Sequence, residues 1–160
     1  MTASAVAIAN AVVTQINAAN LGFTAERSYA DWDLELADTQ DQTSPRCDVV
    51  ANSVQQLQEL FTRGTAKLTI PIDIAIRQKF GADQIDPETG RVVLAAVDNL
   101  IEATETVAML FIGKAFPDVP NNLNIAFQEI AIVAAPIRQH LRQFHQFTSV
   151  IRITLRTSKP

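Results

Sequence analysis

The chain is short of the residues from which most catalytic and metal sites are built. It has one cysteine, Cys47, which excludes an intramolecular disulfide and any zinc cluster of cysteines. Its expected place is a strand, as a small buried apolar residue. There are two histidines, His140 and His145, five residues apart. That is not helical ligand spacing, and no carboxylate follows Glu129, so both are expected at the surface near a loop. The five glycines are scattered singly, so no phosphate-cradling loop exists. No G-x-S-x-G turn is present, and Cys47 has no sequence-local base. Positive charge is also scarce: 13 Lys and Arg against 17 Asp and Glu give a net charge of -4, which argues against a general nucleic-acid binder. The N-terminus lacks the basic region of a signal peptide. The longest apolar stretch, Val92 to Ile112, carries Asp98, Glu102 and Glu105, so it is no membrane span. The expectations are cytosolic synthesis, no enzymatic activity, no cofactor and no metal.

What the chain does have is a core. Hydrophobic residues make up 48% and charged residues 19% of 160 positions, enough for one domain spanning 1–160. The clearest signal is the stretch Lys67 to Phe80. Leu68, Ile70, Ile72, Ile74 and Ile76 occupy every second position, with Thr69, Pro71, Asp73, Ala75 and Arg77 between them. This period predicts a strand with one buried and one wetter face. Pro71 has no N–H for a ladder, so one edge of this strand should be free, bulged or met by something else.

Around it, Ser4 to Asn20 reads as a helix with Ala5, Ala9, Val12, Val13 and Ile16 in one stripe. Ser4 or Thr2 can cap its start, and Gly22 suits a left-handed C-terminal cap. Phe23 to Ala30 and Arg46 to Ala51 read as strands. Ser53 to Phe61 is open: Val54, Leu57, Leu60 and Phe61 follow helical spacing, while Thr62 to Thr65 suits a hairpin turn. Asp86-Pro-Glu88 predicts a helix start, and the helix should run to about Lys114 with Val93, Val97, Leu100, Ile101, Thr104, Val107, Ala108, Phe111 and Ile112 buried. That stripe is expected to pack on Ile72, Ile74 and Ile76. Leu123 to Val133 reads as a strand and Pro136 to Phe144 as one or two helical turns. Gln146 to Thr157 is a second clean strand, with Phe147, Ser149, Ile151, Ile153 and Leu155 on one face.

Charge is segregated. Residues 31 to 41 hold Asp31, Asp33, Glu35, Asp38 and Asp41 and no base. Residues 130 to 160 hold Arg138, Arg142, Arg152, Arg156 and Lys159 and no acid. Opposed patches of this kind suit a contact within or between subunits. The candidate subunit interface is Asp31, Trp32, Asp33, Leu34, Glu35, Pro71, Arg138, Arg142, Arg152 and Arg156.

Four passages, taken in order, resemble a known family. They are Phe23-Thr-Ala-Glu-Arg-Ser-Tyr29 with Asp33-Leu-Glu-Leu-Ala-Asp38; Ile70-Pro-Ile-Asp-Ile-Ala-Ile-Arg-Gln-Lys79; Ala96-Val-Asp-Asn-Leu-Ile-Glu102; and Arg142-Gln-Phe-His-Gln-Phe-Thr-Ser-Val-Ile-Arg-Ile-Thr-Leu-Arg156. Their order resembles small bacteriophage and prophage neck proteins of the tail terminator, or tail completion, type. The resemblance implies an α+β single domain, with a mixed, mostly antiparallel sheet flanked by an N-terminal helix and a long central helix. It favours a strand over Ser53 to Phe61. It implies a homo-oligomeric ring, typically a hexamer, at the head-proximal end of the tail tube. Such a structural protein of the virion, assembled in the host cytoplasm, ends tube growth and joins the tail to the head. Its implied partners are itself, the tail tube protein, the head connector or adaptor and, where the tail is contractile, a sheath terminator. DNA passes through the lumen unread, and no membrane is involved. The alternatives are a head-completion or connector protein and, from a different class, a small cytosolic enzyme or ligand-binding module.

Overall fold

The computed structural model describes residues 4–29, 31–37, 44–52, 56–59, 66–113 and 124–159. Two fourteen-residue strands form its axis. β4 (Ala66–Lys79) and β6 (Gln146–Lys159) run antiparallel and pair along their whole length, from Ala66 opposite Lys159 to Lys79 opposite Gln146. β-branched residues at alternate positions explain why both hold an extended form. Beside β4 lies β2 (Arg46–Ala51), and β1 (Ala25–Arg27) pairs parallel with β2 at the edge. β5 (Asn124–Ala134) flanks β6 at the other edge. A short β3 (Gln56–Glu59) also pairs with β4, beyond the end of β2, so among the described residues the sheet has six strands and a single parallel pairing. This is the expected α+β single domain, and β3 agrees with the strand taken over Ser53 to Phe61. The expected turn Thr62 to Thr65 lies outside the described residues.

Pro71 meets its expected irregular edge in an unexpected place. β4 is central, not peripheral. On its β2 side, β2 pairs residues 72 to 77 and β3 pairs 66 to 69. Pro71 falls in the gap between those two partners, an interruption of the ladder of the kind in which proline is tolerated.

One face of the sheet carries the main core. Ile70, Ile72, Ile74 and Ile76 of β4, Cys47 and Val49 of β2, and Ile151, Ile153 and Leu155 of β6 are all sealed from solvent. They pack mainly on α1 (Ser4–Ala18), through Ile8, Val12 and Ile16. Asn17 fixes α1 to β1, its side-chain amide donating to the Ala25 carbonyl at 3.0 Å and accepting the Ala25 N–H at 2.7 Å. Past α1, Asn20 is the first residue to turn left-handed (φ 50°), with Gly22 following at φ 85°.

The long helix begins later than its sequence suggests. α2 spans Leu94–Met109. Asp86-Pro-Glu instead forms a turn: the Asp86 carboxylate accepts the Glu88 N–H at 2.8 Å, and Gly90 N–H reaches the Asp86 carbonyl at 2.7 Å with φ +66°. Ile85 and Val92 bridge across its mouth. A left-handed glycine ends this turn instead of continuing a helix, which is why the proline start signal fails here. Val93 and Ile112, expected in the buried stripe, are 42% and 54% exposed. Only the last part of α2, with Val107, Ala108 and then Phe111, joins the main core, so Ile72 to Ile76 face α1 more than α2. The first part packs a second cluster: Val97 and Leu100 on Phe80 and Phe147, at the end of the sheet where β4 stops and β6 starts.

The opposite face corrects a larger expectation. It is not wet: Asp73, Ala75 and Arg77 are buried like their apolar neighbours. Its cover over Arg77, Thr148 and Gln146 is the segment 31–37 together with α3 (Arg138–Phe144).

Candidate functional site

The segment 31–37 makes a single turn, with the Leu34 N–H donating to the Asp31 carbonyl at 3.3 Å, and side chains of the sheet tie the rest of it down. Gln146, fully buried at the first position of β6, accepts the Leu36 N–H at 2.7 Å. Its amide donates to Thr148 Oγ1 at 2.9 Å and to the Leu34 carbonyl at 3.4 Å. Lys79 Nζ donates to Glu35 Oε1 at 2.7 Å, and Arg77 Nη1 reaches the Asp31 carbonyl at 3.4 Å. Leu36 is buried, while Leu34 is left 60% exposed.

His140 completes this layer and departs from the surface position expected for it. It is 4% exposed, with Nδ1 2.8 Å from Thr148 Oγ1 and Nε2 3.7 Å from Asp33 Oδ1. The Thr148 hydroxyl also accepts from Gln146, and either it or His140 Nδ1 carries the hydrogen between them. Asp33, His140 and Thr148 thus stand in the order acid, imidazole, hydroxyl, the order of a nucleophilic triad. Two features of the structure set that chemistry aside. Thr148 is 0% exposed, so no substrate carbonyl can approach its oxygen. The 3.7 Å separation is beyond hydrogen-bond range. The His140–Thr148 bond ties α3 to the sheet, and Gln146 ties the 31–37 segment to it.

The remaining buried charges are matched. Asp48, sealed on β2, accepts from Arg77 Nη2 at 2.6 Å and from Arg46 Nε at 3.1 Å, and Arg46 reaches Glu26 at 3.3 Å. Asp73 meets Arg152, its cross-strand neighbour, at 2.7 and 3.0 Å, and that hydrogen bond holds the guanidinium still more firmly protonated. Cys47 is buried as expected, and burial pushes its thiol up to about 12, with Asp48 adding to the effect. A thiol held in that form is a poor nucleophile. Among the described residues no group of three or more His, Cys, Asp or Glu side chains is placed to hold a metal ion.

The sequence-predicted interface residues separate into two sets. Asp31, Asp33, Leu34 and Glu35 are exposed along one strip, with Trp32 half-buried among them. Arg138 and Arg142 are exposed one turn apart on α3. Pro71, by contrast, is buried inside the sheet and presents no surface. Arg152 is occupied by Asp73, not by the acidic strip. Arg156 is exposed near the far end of β6. Among the described residues the acids of the strip lie beside Lys79, which pairs with Glu35, and His140, 3.7 Å from Asp33; the sequence placed neither against the strip.

On the far side of α3 lies an open cleft of about 510 Å³, between the 85–92 turn, the start of α2 and α3. Arg91, Val92, Leu94, Leu141, Arg142 and His145 line it. His145 Nε2 contacts the Gly90 carbonyl at 3.1 Å, which ties α3's end to the turn. Leu94 is 78% exposed at its margin. Sequence reading missed Arg91 because its place depends on the turn that replaced the expected helix start.

No family model matches the chain, and no curated protein matches it.

Proposed function

We propose that the chain is a structural subunit of a phage tail neck, of the tail terminator type. In this reading copies assemble into a ring at the head-proximal end of the tail tube, end its growth and receive the head connector. The four resembling passages fall on β1 and the strip after it, on β4, on α2 and on α3 with β6. The mixed sheet flanked by helices is the architecture that the resemblance implies.

The observation that carries the reading is the outer edge of β5. This strand is eleven residues long, and no described strand pairs with its outer side. Ile132 and Val133 on it are 43% and 53% exposed. Monomeric proteins keep edge strands short or charged, because a long apolar edge is a template for another chain. An edge of this length suits a subunit that is covered on assembly.

Deleting the gene from a phage or prophage that carries it, and imaging the particles, tests the reading. Overlong tail tubes are the expected outcome. DNA-filled heads lacking tails would move the protein to the head-completion class, and normal particles would overturn the neck assignment altogether.

A further inference from the structure

We infer that the cleft beside α3 receives the strip Asp31 to Glu35 of a second copy of this chain. The inference rests on the ring reading above and names the contact that joins its subunits. It starts from charge. Arg91 and Arg142 line the cleft, both are exposed, and neither makes an ion pair among the described residues. Arg138, one turn before Arg142, is exposed and unpaired in the same sense. Between the guanidiniums the walls are apolar, with Val92, Leu94 and Leu141. An occupant should therefore carry carboxylates around an apolar knob.

The strip has that pattern. Leu34 is 60% exposed, with Asp33 and Glu35 on either side and Asp31 just before. It is also held from behind. Gln146, Lys79 and Arg77 bond its backbone and Glu35 toward the sheet, which leaves the Leu34 side chain facing away. A segment fixed in this way loses little freedom on binding.

Strip and cleft of one chain do not meet. The strip lies against His140 and Gln146, and no strip residue lines the cleft. Two copies are needed, and the surfaces that meet are different ones. Such a head-to-tail contact closes into a ring or runs on as a filament. Arg152, bound by Asp73, and buried Pro71 are excluded from the contact.

Two double variants test it: Asp31→Lys with Asp33→Lys, and Arg91→Glu with Arg142→Glu. All four side chains are exposed, so melting temperatures should stay near that of the parent chain. Light scattering after size exclusion, at low and moderate salt, reads the assembly. The parent chain should be multimeric, and each variant should associate at least about tenfold more weakly. Mixed one to one, the variants should recover oligomers, because the first still has an intact cleft and the second an intact strip. Leu94→Asp, at an exposed position, should weaken assembly by itself. If the parent assembles and the variants assemble equally well, or if mixing restores nothing, the contact is wrong and the ring reading stands. A parent chain that stays monomeric at all concentrations overturns both.

Discussion

Arg77 donates from Nη2 to Asp48 Oδ2 over 2.6 Å, both side chains are buried, and Arg77 also reaches the Asp31 carbonyl of the segment 31–37. Opposite charges out of water attract strongly, but each has lost its hydration, so the pair is valuable mainly because neither member can be left alone. Replacing Arg77 with methionine leaves Asp48 with Arg46 only. The expected cost is about 3–5 kcal/mol, read from urea unfolding. Arg77→Met with Asp48→Leu should recover much of that loss. A single variant within about 0.5 kcal/mol of the parent would mean that the site is hydrated and the cover is not closed.

The two apolar clusters make a test by addition. Ile74 belongs to the core under α1, and Leu100 to the cluster around Phe80 and Phe147. Each truncation to alanine should cost about 2–5 kcal/mol. Sharing no cluster, the two should add within about 0.5 kcal/mol in the double variant. Strong coupling would place α2 on Ile74, as the apolar stripe alone suggests.

Gln146 is the main tie of the 31–37 segment. Gln146→Met keeps the volume and strands the buried Leu36 N–H, at a cost of about 1–3 kcal/mol. The visible effect should be local. Limited proteolysis should cut first near residues 31 to 37, and amide exchange there should speed up while β4 and β6 stay protected. Uniform acceleration throughout would show that the segment does not open by itself.

Cys47 offers a pH test with a definite sign. Its thiol is raised to about 12 in the folded chain, from an ordinary value of 9.0. A raised value means that the folded state holds the proton more tightly. The associated stability is intact below about pH 9 and declines as pH rises toward 12. Cys47→Ala should remove that part of the alkaline loss, so the stability difference between parent and variant should narrow as pH climbs through this window. Thiol labelling of the parent should proceed only as fast as unfolding. Rapid labelling under native conditions would contradict the buried position.

Asp73 and Arg152 give a milder case. Asp73 is buried, but the Arg152 side chain is 39% exposed, so water already shares the charge. Asp73→Asn should cost about 1–3 kcal/mol, below the value for a fully sealed pair. Assembly of the folded variant should be unchanged, because Arg152 is not part of the proposed subunit contact. A clear loss of oligomers would bring Arg152 back into it.

The local pattern by itself determined much of this protein. Alternation placed β4 and β6 and sorted their residues onto two faces, because side chains in a strand must point alternately up and down. Helical spacing placed α1 and the buried middle of α2. Scarcity of cysteine, histidine and clustered glycine excluded a disulfide and a phosphate loop. Tertiary structure decided what covers each face. Nothing in Thr69-Pro-Ile-Asp-Ile-Ala-Ile-Arg77 says that the polar side will be roofed by a segment forty residues earlier and tied by a glutamine 110 residues beyond Leu36. The same holds for Asp86-Pro-Glu88, where a bridge between Ile85 and Val92 outweighs a good helix start. It holds again for the arginines: their sign is in the sequence, but whether each is occupied, as Arg152 is, or without an ion pair among the described residues, as Arg142 is, depends on what lies beside it in the fold. Periodicity is a property of neighbours along the chain. Burial and pairing are properties of neighbours in space, and long-range register alone brings those together.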